Sequence, residues 1–308
     1  MDFVYQGITP GSILAFILFL VVFLGINEFT RRSLKLSILV YGIMPLVLVA
    51  LVFSGILGSP TGKTWFGWVK VISALIGVYG FLAIRFTNLK NKKFASIFPV
   101  SILALNIAEA VYRELQVYAT YKTLQVDAGG ILIQGGVWNL FNAAAGVLCI
   151  VTLTGFVGIR VSNDKSKDMI WPDMTWMYIV GYTLWNFAYV YNCISTRSMY
   201  AGFGILLAAM IAEWVFKKGA WLQHRAQILS LYAMFSLSVD FQKSDYFKIL
   251  PTYNQSFLMG LSILSFAFNA VFFGFMVYTI LSDRKNPLKQ EIFENTRYYQ
   301  QSIKENNF

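Results

Sequence analysis

Long apolar runs separated by short polar stretches form the dominant pattern of the chain. A helix needs about 20 mostly apolar residues to cross the hydrocarbon core of a bilayer, and nine stretches meet or nearly meet that length. The predicted transmembrane helices cover residues 11–29, 36–58, 65–84, 94–117, 132–159, 175–194, 198–216, 221–239 and 256–281. No series of stretches alternates as the strands of a membrane barrel do. The pattern therefore predicts an all-α, polytopic integral membrane helix bundle, with a transmembrane helical domain over residues 1–281 and a cytosolic C-terminal tail over residues 282–308.

The connection before the fifth predicted helix has two interpretations. Two glycine pairs, at residues 129–130 and 135–136, flank a mainly apolar tetrad at residues 131–134. The tetrad can begin the fifth helix, or residues 129–136 can form a short re-entrant loop against the bundle. The sequence leaves both interpretations open.

The positions of Lys and Arg predict the orientation of the helices. Fifteen of these residues lie in one alternating set of connections and just after the last helix, whereas five lie in the other set. Positive charge collects on the cytoplasmic side of membrane proteins. We therefore expect nine helices with the N-terminus outside and the C-terminus in the cytoplasm, in a multi-pass protein of the cell membrane.

Composition agrees with a membrane protein and excludes other classes. Only 13% of the residues are charged, about half the share typical of soluble domains, which is about 25%. The net charge of +10 follows from the basic connections, so we expect the lipid bilayer, and no nucleic acid, as a partner. The sequence leaves the oligomeric state open.

Three polar residues share one face of the fourth predicted helix. Asn106, Glu109 and Arg113 follow a spacing of three and four residues, which places them on the same side. Because ionisable groups are costly inside a membrane, they usually face a bundle interior or a wet cavity. Glu109 and Arg113 can pair with each other and hold the helix to its neighbours, or they can serve a substrate-linked or proton-linked role.

Asparagines and aromatic residues form a second candidate site. The members are Trp138, Asn139, Asn142, Trp185, Asn186, Tyr189 and Asn269. Buried asparagines often make interhelical hydrogen bonds, but aromatic walls with a few amide groups also line small-molecule pockets. We weigh these two interpretations equally, and the second predicts that a small polar molecule binds.

The chain lacks the residues that enzymes of the membrane need. Cys149 and Cys193 both fall in apolar runs, and His224 is the one histidine, so we expect no metal site, no cofactor and no catalytic residues. The run from Glu109 to Arg113 resembles part of the Glu-Glu-x-x-x-Arg motif of intramembrane CAAX-type proteases. That family requires histidines on two further helices, so the resemblance stops at five residues. An enzyme is therefore the least favoured class.

Two functional classes remain. The first is a secondary transporter or permease for a small polar solute, which binds in a cavity lined by Asn, Trp and Tyr, with Glu109 available for proton coupling. The second is a receptor-like or scaffold membrane protein, in which the same polar residues bind a ligand or only hold helices together. We prefer the transporter, on architecture and on the burial of polar residues.

Overall fold

The computed structural model describes residues 3–63, 65–127 and 130–308, and the protein is mostly helical. The longer helices are α1 (Pro10–Arg32), α2 (Leu34–Phe53), α3 (Trp65–Phe86), α4 (Ile97–Thr120), α5 (Val137–Val151), α6 (Trp176–Cys193), α7 (Ser195–Phe216), α8 (Trp221–Ser238), α9 (Gln255–Asp283) and α10 (Arg297–Glu305). Both α2 and α7 include π-helical turns.

Six of the described helices are long and apolar enough to cross a membrane. They are α1, α2, α3, α4, α7 and α9. The predicted counterparts of the others exist as α5, α6 and α8. Helix α5 is apolar but has only 15 residues, whereas α6 and α8 have 18 residues each but are less apolar than the six spans. The count of nine spans and their orientation therefore remain predictions.

The central positions of α6 and α8 explain why these two helices are less apolar. Fifteen of the 18 residues of α8 and twelve of the 18 of α6 are buried within the protein. The peripheral helices instead expose apolar side chains, among them Leu18, Leu46, Leu105 and Val271. A soluble protein would bury such side chains, so the exposed apolar surface fits a lipid environment.

The helices pack as two groups. In the first group α4 contacts α5, and α5 and α6 both contact α9; in the second, α8 contacts α1, α2, α3 and α7. Each group has a buried core, with Trp185 and Phe272 in the first and Tyr41 and Ile228 in the second. Between the groups lies the cavity described below.

Within residues 3–63, 65–127 and 130–308, three antiparallel pairs of two-residue strands connect the helix ends. The all-α prediction did not include these strands. They are β1 (Tyr5–Gln6) with β6 (Leu250–Pro251), β2 (Gln125–Val126) with β3 (Leu132–Ile133), and β4 (Arg160–Val161) with β5 (Met169–Ile170). Strands this short leave no alternating pattern in the sequence.

The fifth predicted helix is longer than the observed one at both ends. Residues 132–133 belong to the β2–β3 hairpin, and α5 begins only at Val137 because the backbone of Gly135 packs against α4, with its N–H donating to the carbonyl of Tyr121 at 2.6 Å. At the other end, Gly155 adopts a left-handed φ of 62° that a helix cannot include. Of the ambiguous residues 129–136, residue 129 lies outside the described part, and 132–133 are strand.

The C-terminal tail is docked onto the bundle. Ile292 and Phe293 are fully buried, and their N–H groups donate to Oδ1 of Asp173 at 2.9 and 2.7 Å. Tyr298 of α10 donates its hydroxyl hydrogen to the carboxylate of Glu213. Burial raises the pKa of Asp173 to about 6, although its hydrogen bonds oppose this shift.

We predict that Asp173→Asn keeps the tail docked and that Asp173→Ala releases it. The raised pKa means that the folded state binds the proton more tightly, so the free energy of unfolding falls as the pH rises between the unfolded-state pKa of 3.8 and about 6. Asparagine removes that loss and retains the acceptor, whereas alanine leaves two buried N–H groups unpaired at a cost of about 1–3 kcal/mol. Thermal unfolding above pH 7 and limited proteolysis in detergent measure both effects; equal cleavage of the two variants would contradict the prediction.

Candidate functional site

A carboxylate and three amides form a buried polar cluster in the first helix group. Asn142 of α5 and Asn192 of α6 donate to Oε1 of Glu114 on α4 at 2.7 and 3.3 Å, and Asn139 of α5 donates to the other carboxylate oxygen. All four residues are buried. The cluster therefore joins three helices through hydrogen bonds to one carboxylate, and two of the predicted site residues belong to it.

The sequence reading missed Glu114, although the helical spacing contains a signal for it. Leu103, Ile107, Ala110, Glu114 and Val117 recur at three and four residues and form the buried face of α4. An acidic residue in the middle of such an apolar face requires polar partners on neighbouring helices. The asparagines of α5 supply them.

Three other predicted residues also pack between helices. Trp138 lies in a buried apolar cluster, and Trp185 is fully buried with its ring 5.3 Å from that of Tyr182. Asn269 of α9 donates to the carbonyl of Gly181 on α6 at 3.0 Å. These contacts correspond to the structural interpretation of the polar and aromatic residues.

A cavity with a volume of about 740 Å³ lies between the two helix groups. Helices α3, α4, α6, α7 and α8 form its wall. The predicted site residues that line it are Asn106, Glu109, Arg113, Asn186 and Tyr189, and those outside its lining are Trp138, Asn139, Asn142, Trp185 and Asn269. Along α8 it extends from Leu222 to Ser236, about 21 Å at the rise of an α-helix. It reaches the end of the bundle predicted to be outside, at Thr61, Lys63, Asp127 and Ile131.

Ion pairs in this cavity differ from the one that the spacing suggested. Glu109 accepts a hydrogen bond from Nζ of Lys70 on α3 at 2.8 Å, and Arg113 donates to Asp127 at 2.7 Å. Glu109 therefore reaches across to the second helix group instead of pairing with Arg113 along its own helix. The side chain of Lys70 points into the cavity, where it meets Glu109.

Arg225 lies at the deep end of the cavity. The residue is 5% exposed, and its Nη2 donates to Oδ1 of Asn186 at 3.2 Å. Its Nε and Nη1 have no hydrogen-bond partner among the described residues. Tyr189 and Tyr232 also line the cavity. Their hydroxyl groups are buried and have no hydrogen-bond partner among the described residues.

An ion cluster closes the end of the bundle below Arg225, on the predicted cytoplasmic side. We call Arg31, Arg85, Asp168 and Gln223 the inner cluster. Asp168, between β4 and β5, accepts from Arg31 at 2.6 Å and Gln223 at 2.7 Å and lies 3.5 Å from Nη2 of Arg85. Burial alone would raise the pKa of Asp168, but the two guanidinium groups lower it below its ordinary value.

We predict that Glu114→Ala destabilises the protein more than Glu114→Gln. Alanine removes the Glu114 acceptor from three buried amides and creates a cavity. Asn142 keeps the carbonyl of Trp185 as an acceptor, and Asn192 keeps the hydroxyl of Ser262. Asn139 is left with only the weak acceptor Sγ of Cys193, at a cost of about 1–3 kcal/mol. Glutamine retains one carbonyl oxygen and the volume. The melting temperature in detergent measures the difference, with Glu109→Gln as a control whose side chain is 30% exposed. An unchanged melting temperature for Glu114→Ala would show that the cluster contributes no stability.

Comparison with known proteins gives a family but no activity. No curated protein and no solved structure matches the chain. Residues 6–305 match a family described as a family of unknown function, DUF5692. Because the match covers almost the whole chain, the protein belongs to the DUF5692 family.

Proposed function

We propose that the protein is a secondary transporter or permease of the cell membrane for a small polar solute that binds in the cavity. The observation that carries the proposal is a deep cavity between two helix groups, with charged and polar side chains in a largely apolar wall, reaching one end of the bundle and closed at the other. Its volume of about 740 Å³ falls within the range of about 300–1,000 Å³ typical of small-molecule sites.

The contacts between the two groups suit a mechanism in which the ends open alternately. At the closed end, the inner cluster joins the β4–β5 hairpin, which connects helices of the first group, to Arg31 and Arg85 of the second. At the open end, the Lys70–Glu109 pair crosses the cavity between α3 and α4. Rocking of one group against the other, as many transporters do, requires the inner cluster to separate.

Glu109 is our candidate for proton coupling. Its carboxylate lies in the cavity, and its bond to Lys70 joins the two helix groups. Protonation of Glu109 would remove its negative charge and weaken this link. A solute-dependent change at this pair would then couple proton movement to the motion of the groups.

A receptor-like or scaffold protein is the second candidate function. It is favoured by the Glu114 cluster and by Asn269, because these polar residues hold helices together and do not line the cavity. In this alternative the cavity binds a ligand without moving it across the membrane.

Uptake into proteoliposomes distinguishes the two functions. We expect at least one solute from a panel of nucleosides, vitamins, sugars, amino acids and organic acids to accumulate, with a rate that depends on pH. Glu109→Gln is expected to abolish that pH dependence and leave folding intact, whereas Glu294→Gln, at the docked tail, retains it. If no solute of the panel is taken up but one of these solutes raises the melting temperature of the protein, the receptor-like function replaces transport. If the uptake rate of Glu109→Gln still depends on pH, Glu109 has no part in the mechanism.

A further inference from the structure

We propose that the deep end of the cavity binds the carboxylate group of a small organic acid whose body is apolar or aromatic, with Arg225 as its charge partner. The proposal rests on the cavity being the solute site of the proposed function, but binding does not require transport.

Arg225 differs from the other cations that line the cavity. Lys70 is paired with Glu109, Arg113 with Asp127, and Arg197 donates to the hydroxyl oxygen of Thr61. Lys63 belongs to the exposed connection at the open end. Arg225 is the buried member of this set for which no acidic partner is found in the described residues.

The position of the guanidinium group makes a missing anion costly. Arg225 lies one turn from the start of α8, yet its side chain reaches Asn186, which is near the middle of α6. A cation at that depth in a membrane protein is usually paired or faces water. Its Nε and Nη1 have no partner among the described residues. Either nitrogen can donate beside the second hydrogen of Nη2, in the parallel pair of hydrogen bonds that a carboxylate accepts.

The surroundings of Arg225 favour one negative charge on a mainly apolar ligand. Leu222, Ala226 and Leu229 of α8 line the same region, and the ring of Tyr182 lies 6.0 Å from the guanidinium carbon. A single unpaired guanidinium group matches a carboxylate better than a doubly charged phosphate. The hydroxyl groups of Tyr189 and Tyr232 can donate to polar atoms elsewhere on the ligand.

The charge of the whole cavity also favours an anion. Among the described residues, its lining contains five basic residues, Lys63, Lys70, Arg113, Arg197 and Arg225, and two acidic residues, Glu109 and Asp127. Clefts lined by one sign of charge concentrate ligands of the opposite sign. An organic acid would therefore be attracted to the open end and held at the deep end.

The test measures binding to the full-length protein in detergent, by calorimetry and by the shift in melting temperature. The probes are benzoate and phenylacetate, each compared with its neutral amide, and inorganic phosphate at the same ionic strength. We expect the carboxylates to bind and to raise the melting temperature, and the amides and phosphate to bind at least tenfold more weakly. Equal effects of an amide or of phosphate, or no binding by either carboxylate, would overturn the proposal.

Variants assign the binding to Arg225. Arg225→Gln is expected to lower the affinity for the carboxylates at least tenfold, and Arg225→Lys to lower it less. Because the substitution to glutamine removes an unpaired buried charge, the melting temperature without ligand should stay the same or rise. Lys243→Gln removes a positive charge from an exposed loop and should leave the affinity unchanged. Unchanged affinity in Arg225→Gln would overturn the role of Arg225.

The outcome is separable from that of the proposed function. Carboxylate binding that depends on Arg225, without uptake of any solute, supports the site and removes the transporter. Uptake of a neutral solute without carboxylate binding supports the transporter and overturns the site.

Discussion

Asp168 lies buried between the guanidinium groups of Arg31 and Arg85, and the closed end of the bundle depends on this contact. Removing one partner from a buried ion pair leaves an uncompensated charge, which is strongly destabilising. The three residues come from α1, α3 and the hairpin between β4 and β5, so they hold the two helix groups together at that end. With this end fixed, the space between the groups becomes a cavity that opens in one direction.

The same requirement for compensation explains the other polar groups inside the protein. Glu114 is compensated by amides within one helix group, whereas Glu109 is compensated by Lys70 across the cavity. The first arrangement fixes helices within a group, and the second connects two bodies that can move apart. Arg225 is the exception, because hydrogen bonding to Asn186 leaves two of its nitrogens unpaired. Stability and binding are thus assigned to different polar residues of the same bundle.

Much of the fold could be predicted from the sequence, because apolar runs of the required length produce helices wherever backbone groups must be satisfied internally. The ends of α5 could not, since they depend on the close approach of Gly135 to α4 and on the left-handed conformation of Gly155. The docking of the tail could not be predicted from the sequence either, because Ile292 and Phe293 are buried against a loop that lies more than a hundred residues earlier in the chain.

The candidate site was predicted only in part, for a reason of geometry. Helical spacing places Asn106 and Glu109 on one face, but it does not reveal which neighbour that face meets. Asn139 and Asn142 are among the predicted site residues, but their spacing does not show that their partner is Glu114, on the apolar face of α4. Arg225 could not be placed in the cavity from its position in the chain, because sequence position does not show how far a long side chain extends.

Cysteine accessibility tests most directly whether the cavity opens at one end only. In a variant with Cys149 and Cys193 replaced by serine, single cysteines are placed at Ser73 and Ala226 in the cavity, and at Leu264 on the exposed face of α9 as a lipid-facing control. A charged, membrane-impermeant thiol reagent is added to either side of oriented membranes. Two further single-cysteine variants, at the exposed residues Lys248 and Lys165, mark the two sides of the membrane. Both cavity positions should react from the Lys248 side, and neither should react from the Lys165 side. Reaction from the Lys165 side, or from neither side, would contradict a cavity that the inner cluster closes.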